Sequence, residues 1–334
     1  MPRKYFLVVF FAALVTLLPG VAGAQPFKLA EGLAGTSGST VGPDGALYVT
    51  EAVHGRISRV DPWTGDVTTF AEGLPEQLPW VGLGGAMDVA FVDGVAYVLV
   101  TLVDFWVGGS ETVGIYRLET SGEFSVMADI GVFSSDNPPT IIFEYFVPSG
   151  VQYAMEPFRG GFLVSDGHHN RVLWISPTGI VSEFKALDNI VPTGLEVHGK
   201  TVYMAQAGEL PHDPGDGSAV VAIDAQSGSV QHVGSGAPLL VDVEFGLGRS
   251  LYALAQGEWN GFFGTDPGTP ADPDGGSLSR INPDGSFTEI AGELNLPTSM
   301  EFIGNAAFIV NMVGEIWVID DVSAPPFGRG GKTN

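Results

Sequence analysis

One phrase recurs along this chain roughly every 50 residues: a short apolar run, a glycine-rich turn, then an apolar run around an aromatic or aliphatic anchor. It reads STVGPDGALYVTE at 39–51, MDVAFVDGVAYVLV at 87–100 and SGVQYAMEPFRGGFLVSD at 149–166. TGLEVHGKTVYMAQ at 193–206, VDVEFGLGRSLYALAQ at 241–256 and TSMEFIGNAAFIVN at 298–311 complete six copies. Five copies continue into a second strand pair, of which GRISRVDPWTGDVTTFAEGL (55–74) is the cleanest: an alternating strand, an Asp-Pro turn, a Thr-rich strand. The sixth has only GEIWVID (314–320) after its hairpin, whereas PFKLAEGL (26–33) is a spare outer strand ahead of the first copy, much like TTFAEGL (68–74). The spacing predicts an all-β, six-bladed β-propeller of four-stranded antiparallel blades, its ring closed by the N-terminal strand completing the last blade. Closure of that kind leaves no free sheet edge. No helix-period segment of useful length is expected.

Composition agrees. With 47 Gly and 23 Pro in 334 residues, and charged residues at 16%, the chain is built of short strands and tight turns. An apolar share of 45% excludes a disordered chain and suits a sizeable core. The formal charge of −24 argues against nucleic acid as a partner and against an anionic membrane surface. There is no cysteine, so stability must come from packing.

The first 24 residues read as an address. Arg3 and Lys4 precede an apolar run from Tyr5 to Leu18, Pro19 and Gly20 break it, and Ala22-Gly23-Ala24 supplies small residues. The expectation is a signal peptide (1–24) cut after Ala24, a propeller over 25–322, a disordered tail over 323–334, and a secreted or periplasmic location. The mature chain contains no later apolar stretch of spanning length and is expected to be a monomer.

In a propeller, the connections from the second to the third strand of a blade, and from one blade to the next, share one face. The long connections fall there: 75–86, 101–112, 131–148, 207–217 and 257–276. They carry Trp80, Phe105, Trp106, Phe133, Tyr145, Phe146, Trp259, Phe262 and Phe263. One face is therefore elaborated for a small molecule, a glycan or a protein partner, unless these aromatics form a private mini-core.

Innermost strands line the axis. Their first inward positions are assigned as Ser39, Asp88, Gly150, Gly194, Asp242 and Ser299, which sets Asp88 opposite Asp242. Glu51, Asp166, Gln206, Gln256 and Asn311 end the second strands and complete an acceptor-rich mouth without Lys or Arg. Such a mouth suits a hard divalent cation such as calcium, with Glu51, Asp166 and Asn311 as candidate ligands; a merely solvated channel is the alternative. One turn deeper, Gln152, Glu196, Glu244 and Glu301 either line the channel or pack between blades. His168 and His169 sit in DGHHNRV beside Asp166, an arrangement that can orient a general base or shape a hairpin. Candidate ligand-binding residues are thus Glu51, Asp88, Asp166, His168, His169, Gln206, Asp242, Asn311, Trp106 and Trp259, with Asp88 and His168 the catalytic candidates. Asp266, Asp272 and Asp274 lack calcium-loop spacing, and there is no nucleophile elbow, zinc-protease helix motif or phosphate loop.

GPDGALYVTEA, VPTGLEV with VYMAQAGELP, and LYALAQGEWNGFFGTDPG with GGSLSRINPDGSFTEIAGEL resemble the ScyD/ScyE family of exported propellers over nearly all of 26–320. Asp88 and Asp242 match acids of that family's pattern, and DGHHNRV resembles the D-x-x-x-N-R-V phrase of NHL-type repeats. The resemblance implies a secreted six-bladed propeller and supplies no activity. The chain ends in FGRGGKTN where family members often carry a sorting tail. Related six-bladed gluconolactonases place a Glu ligand early in the first inner strand, where this chain has Ser39-Thr40-Val41. The elaborated face and acidic mouth lead to the expectation of an exported binding propeller, with a metal-dependent lactonase or lyase, or a scaffold for an exported assembly, as alternatives.

Overall fold

The computed structural model describes residues 25–142, 145–210, 217–260 and 269–322. The expected signal peptide, the expected tail, Phe262, Phe263 and Asp266 lie outside the described residues. Among the described residues no helix is long and apolar enough to cross a membrane.

The strands form six four-stranded antiparallel blades. The chain begins with β1 (Phe27–Ala30), then blade one: β2 (Thr36–Val41), β3 (Leu47–Glu51), β4 (Arg56–Val60) and β5 (Val67–Glu72). Blade two is β6 (Gly85–Val92), β7 (Val95–Thr101), β8 (Gly114–Leu118) and β9 (Phe124–Asp129). Blade three is β10 (Gln152–Phe158), β11 (Gly161–Asp166), β12 (Arg171–Ile175) and β13 (Val181–Ala186). Blade four is β14 (Pro192–His198), β15 (Thr201–Gln206), β16 (Ala219–Asp224) and β17 (Val230–Gly234). Blade five is β18 (Leu240–Phe245), β19 (Leu251–Ala255), β20 (Gly276–Ile281) and β21 (Phe287–Leu294). Blade six is β22 (Pro297–Ile303), β23 (Ala306–Asn311) and β24 (Ile316–Ile319), with β1 as its outer strand.

Closure is as the sequence indicates. Phe27 pairs with Val318, Lys28 with Trp317 and Ala30 with Ile316. Lys28 adds an ion pair to Glu315 at 2.9 Å, and the carbonyl of Leu33 sits against Gly314, whose φ of 84° only glycine adopts without strain. Packing continues across the same seam, where Leu47, Val49 and Val60 of blade one meet Phe308, Val310 and Val318 of blade six. The core is thus a ring of such inter-blade layers, not one central mass: the axis itself is a polar bore.

One element was not expected. A helix, α1 (Ile130–Asp136), opens the connection from blade two to blade three. Its N-cap, Asp129, accepts a hydrogen bond from the Val132 amide at 2.8 Å. The helix buries Ser134 beside Arg171 and Asp166, so tertiary contacts hold a segment too short to show a helical period.

Candidate functional site

Every inner strand carries a register break near its start: Thr36/Ser39, Ala86/Asp88, Gln152/Met155, Pro192/Leu195, Leu240/Asp242 and Pro297/Ser299. A bulge bends the strand and re-aims its side chains, which is why bulges gather at barrel rims and sites. Just ahead of four of these strands, Gly35, Val191, Leu239 and Leu296 occupy the left-handed region, with φ of 66°, 46°, 48° and 47°. Their carbonyls accept the amides of Ala52, Ala207, Gln256 and Met312, which end the neighbouring second strands. Glycine takes this conformation freely; Val and Leu hold it at a cost of order 1–3 kcal/mol each. Val191 and Leu239 thereby stand in the rim of a cavity.

That cavity, of about 420 Å³, occupies the long-connection face over the axis. All six blades contribute to it, through Ala52, Met87, Tyr153, Leu210, Trp259 and Met312 among others. Among the described residues no Asp, Glu, Lys or Arg side chain lines it. Tyr153 and His168 form a hydrogen-bonded ionisable pair in its wall. His168 Nδ1 lies 3.0 Å from the Tyr145 carbonyl, which can only accept, so this nitrogen carries the proton. Nε2 is then an acceptor, and the Tyr153 hydroxyl donates to it at 3.1 Å. Burial holds the imidazole below its ordinary pKa, and therefore neutral, and pushes the Tyr153 phenol up.

Beneath the cavity runs a narrow bore of about 60 Å³, lined by Asp88, Glu156, Asp242, Glu244 and Glu301. Asp88 spans two blades: its carboxylate accepts the amides of Val89 at 2.8 Å and of Met155 at 2.7 Å. Asp242 repeats this with Val243 and Met300, both at 2.8 Å, on the opposite side of the ring. Gly38 and Gly194 leave room for them, since a Cβ at either position would lie 2.3 or 2.5 Å from the neighbouring carboxylate oxygen. Burial raises Asp88 to about 8 and Asp242 to about 7 against the pull of those amides, and the charge of Asp242 adds to the rise at Asp88. Burial also raises Glu196 to about 7 and lifts Glu156, Glu244 and Glu301 well above the carboxylate range, with their mutual repulsion adding to the rise. Among the described residues no Lys, Arg or His lines the bore.

The blade-three assignment from sequence was displaced. Gly150 lies ahead of β10 with φ 78°, against Asp166 and Gln152, and Ala154 holds the inward position instead. Likewise Glu156, not Gln152, stands level with Glu196, Glu244 and Glu301; Gln152 bonds Thr101 at 2.7 Å and Asp166 at 3.0 Å. The bulge between Gln152 and Met155 accounts for the slip, since it puts extra residues where a uniform alternation was assumed.

The expected cation-free mouth is corrected at two positions. Glu51 is fully buried and accepts from Arg56 Nε at 2.8 Å, from the Ala34 amide at 2.9 Å and from the Ser58 hydroxyl. Asp166 is fully buried and accepts from Arg171 Nε at 2.9 Å. Burial pushes both carboxyls up, but these partners, with His169 beside Asp166, more than offset it, and both end below the ordinary value. Asn311 receives the Glu315 amide at 2.9 Å within its own turn. These three residues sit in three blades, each engaged locally. Among the described residues no group of three His, Asp or Glu side chains is placed to hold a metal ion. The donor set Glu51, Asp166 and Asn311 therefore does not fit a divalent cation. The sequence did contain the signal: Glu51 to Arg56 and Asp166 to Arg171 share one spacing across a turn, the mark of a repeated intra-blade clamp.

Of the other candidates, His168 and Trp259 line the cavity, while Gln206 and His169 do not. His169 is a strut, stacked on Phe146 at 5.0 Å and bonded to the Val147 carbonyl at 2.9 Å. Trp106 is exposed, edge-on to Phe105 at 5.8 Å. Gln77, Tyr153 and the threonines Thr36, Thr193 and Thr298 line the cavity and were missed, because nothing in their sequence context distinguishes them from blade filling.

No protein-family model matches the chain, and neither does any curated protein. Solved structures do. The chain is similar to a gluconolactonase of Xanthomonas campestris, at 12% identity over 89% of this chain and 89% of that one, with a TM-score of 0.59. It is similar to virginiamycin B lyase of Staphylococcus aureus, at 14% identity over 89% and 98%, with a TM-score of 0.52. It is similar to regucalcin, a calcium-binding protein of Agrobacterium tumefaciens, at 12% identity over 89% and 93%, with a TM-score of 0.54. Likeness at such identities establishes the fold alone: a six-bladed β-propeller.

Proposed function

We propose that this chain is an exported, ScyD/ScyE-like binding propeller whose ligand enters the cavity on the long-connection face. One observation carries this reading: residues from six blades enclose a space of about 420 Å³ with apolar and aromatic walls and, among the described residues, no charged side chain. Small-molecule sites are concave, mostly apolar and supplied with a few placed polar groups, and their usual size includes this one. The residues that build the rim carry unfavourable backbone conformations at Val191 and Leu239, which supports a built site over incidental loop packing.

Binding of the neutral solvatochromic dye prodan tests this. A single saturable site with a blue shift is expected. Met312→Trp, which fills the cavity, is expected to abolish it; Trp63→Ala, at an 82% exposed turn on the opposite face, is expected to leave it unchanged. Binding that survives Met312→Trp would place the ligand elsewhere.

A second reading has one observation behind it. The Tyr153–His168 pair puts a neutral imidazole and a bonded phenol in the cavity wall, a pairing able to accept and return a proton. The gluconolactonase and lyase structures share the fold, so a lactone- or ester-directed activity is the enzyme alternative. It does not use a metal held by Glu51, Asp166 and Asn311.

A further inference from the structure

The cavity and the bore adjoin along the axis: Ser37, Tyr153, Val241 and Thr298 line both. Hydroxyls around the cavity floor have largely spent their protons. Thr193 donates to the Leu240 carbonyl at 2.8 Å, Thr298 to the Ser37 carbonyl at 2.7 Å, and Thr36 to the Asn311 carbonyl. Tyr153 donates to His168. Each oxygen is left presenting lone pairs; the Ser37 hydroxyl and the Gln77 amide remain able to donate. Below them stand five carboxyls with the hydroxyls of Ser39, Thr40 and Ser299, and Glu301 has no hydrogen-bond partner among the described residues.

These two zones ask for different halves of one molecule. The upper zone accepts an apolar or aromatic body. The lower zone offers acceptors and carboxyls able to ionise against a bound cation, with no counterion among the described residues. It holds roughly four water-sized spheres, room for a small polar head but not a ring. A metal ion needs several oxygens converging on one point, and no such cluster exists among the described residues. An ammonium group needs only acceptors at ordinary hydrogen-bond distance around it, which spread carboxylates and threonine oxygens supply. Resting on the reading of the mouth as a ligand site, we propose that cavity and bore together bind an amphiphilic organic cation. Its apolar body lies against Trp259 and Tyr153, and its protonated amine points down between Asp88 and Asp242. An anionic ligand would meet the carboxyls head-on, and a neutral one would leave them uncompensated.

Isothermal titration at pH 8 of 2-phenylethylamine, 2-phenylethanol and phenylacetate tests this. The amine is expected to bind about tenfold more tightly than the alcohol, with phenylacetate weakest. Glu244→Gln/Glu301→Gln, which touches no carboxylate that accepts a backbone amide in the bore, is expected to reduce the amine preference by thinning the acceptors around Asp88 and Asp242. Asp88→Asn is a second variant expected to reduce the same preference. Equal binding of amine and alcohol to the unaltered protein overturns the inference, as does a preference left unchanged by both the double substitution and Asp88→Asn, or undetectable amine binding at millimolar concentration. Prodan binding in the mouth with no amine preference sinks this inference alone; loss of prodan binding sinks the reading beneath it.

Discussion

Acidic side chains of one chemistry have two fates here, and the difference is a cation within reach. Glu51 and Asp166 lie under Arg56 and Arg171 and are held ionised; Glu301 and Glu244 face other carboxyls and are pushed toward the protonated form. The consequences for stability have opposite signs. A carboxyl raised in the folded state stabilises below its unfolded pKa near 4, and that contribution is lost as pH climbs through the folded value, about 7 for Asp242 and about 8 for Asp88. A carboxyl lowered in the folded state stabilises above its unfolded pKa and loses that contribution as pH falls through the folded value. Thermal stability should therefore be highest near about pH 5 and decline toward pH 8. Glu301→Gln removes one unpartnered carboxyl and should raise stability at pH 8 by on the order of 1–2 kcal/mol, with little effect at pH 4.5. Calorimetry across that range checks both; a flat profile, or an equal gain at both pH values, contradicts the assignment. The two fates were only half legible beforehand. Asp88 and Asp242 could be placed from the repeat, but Glu156 could not, because the bulge in β10 breaks the alternation on which its assignment depended.

At the scale of elements, the chain's reading succeeded where pattern sets structure and failed where contacts do. Strand alternation and turn chemistry revealed all six blades, and the missing fourth strand of the last blade revealed the role of β1. α1 and the left-handed residues ahead of the inner strands were invisible. Ser134 is ordered by Arg171 from another blade, and Leu239 takes φ 48° because Gln256 needs its carbonyl. Since β1 supplies the outer strand of blade six and Leu33 packs in the seam, removing residues 25–33 would expose the edge of β24. That truncation should lower the melting temperature sharply and promote association, seen by calorimetry and light scattering. A truncated protein that melts as the full chain does would mean that the seam is not what closes the ring.

For the molecule as a whole, the ring arrangement turns six similar modules into a vertical gradient of chemistry. The described residues of every blade's connections build a largely apolar mouth, and inner strands build an acidic bore under it, with four residues common to both. The net charge of −24 gave the sign of the interior but not its layering, because glutamates on inner strands and on outer strands look alike in sequence. A crystal structure of the protein grown with 2-phenylethylamine tests this layering most directly. The aromatic ring should lie in the mouth beside Trp259, Tyr153 and Met87, its nitrogen pointing into the bore between Asp88 and Asp242. A mouth filled by water alone, or an amine turned outward to solvent, would contradict it.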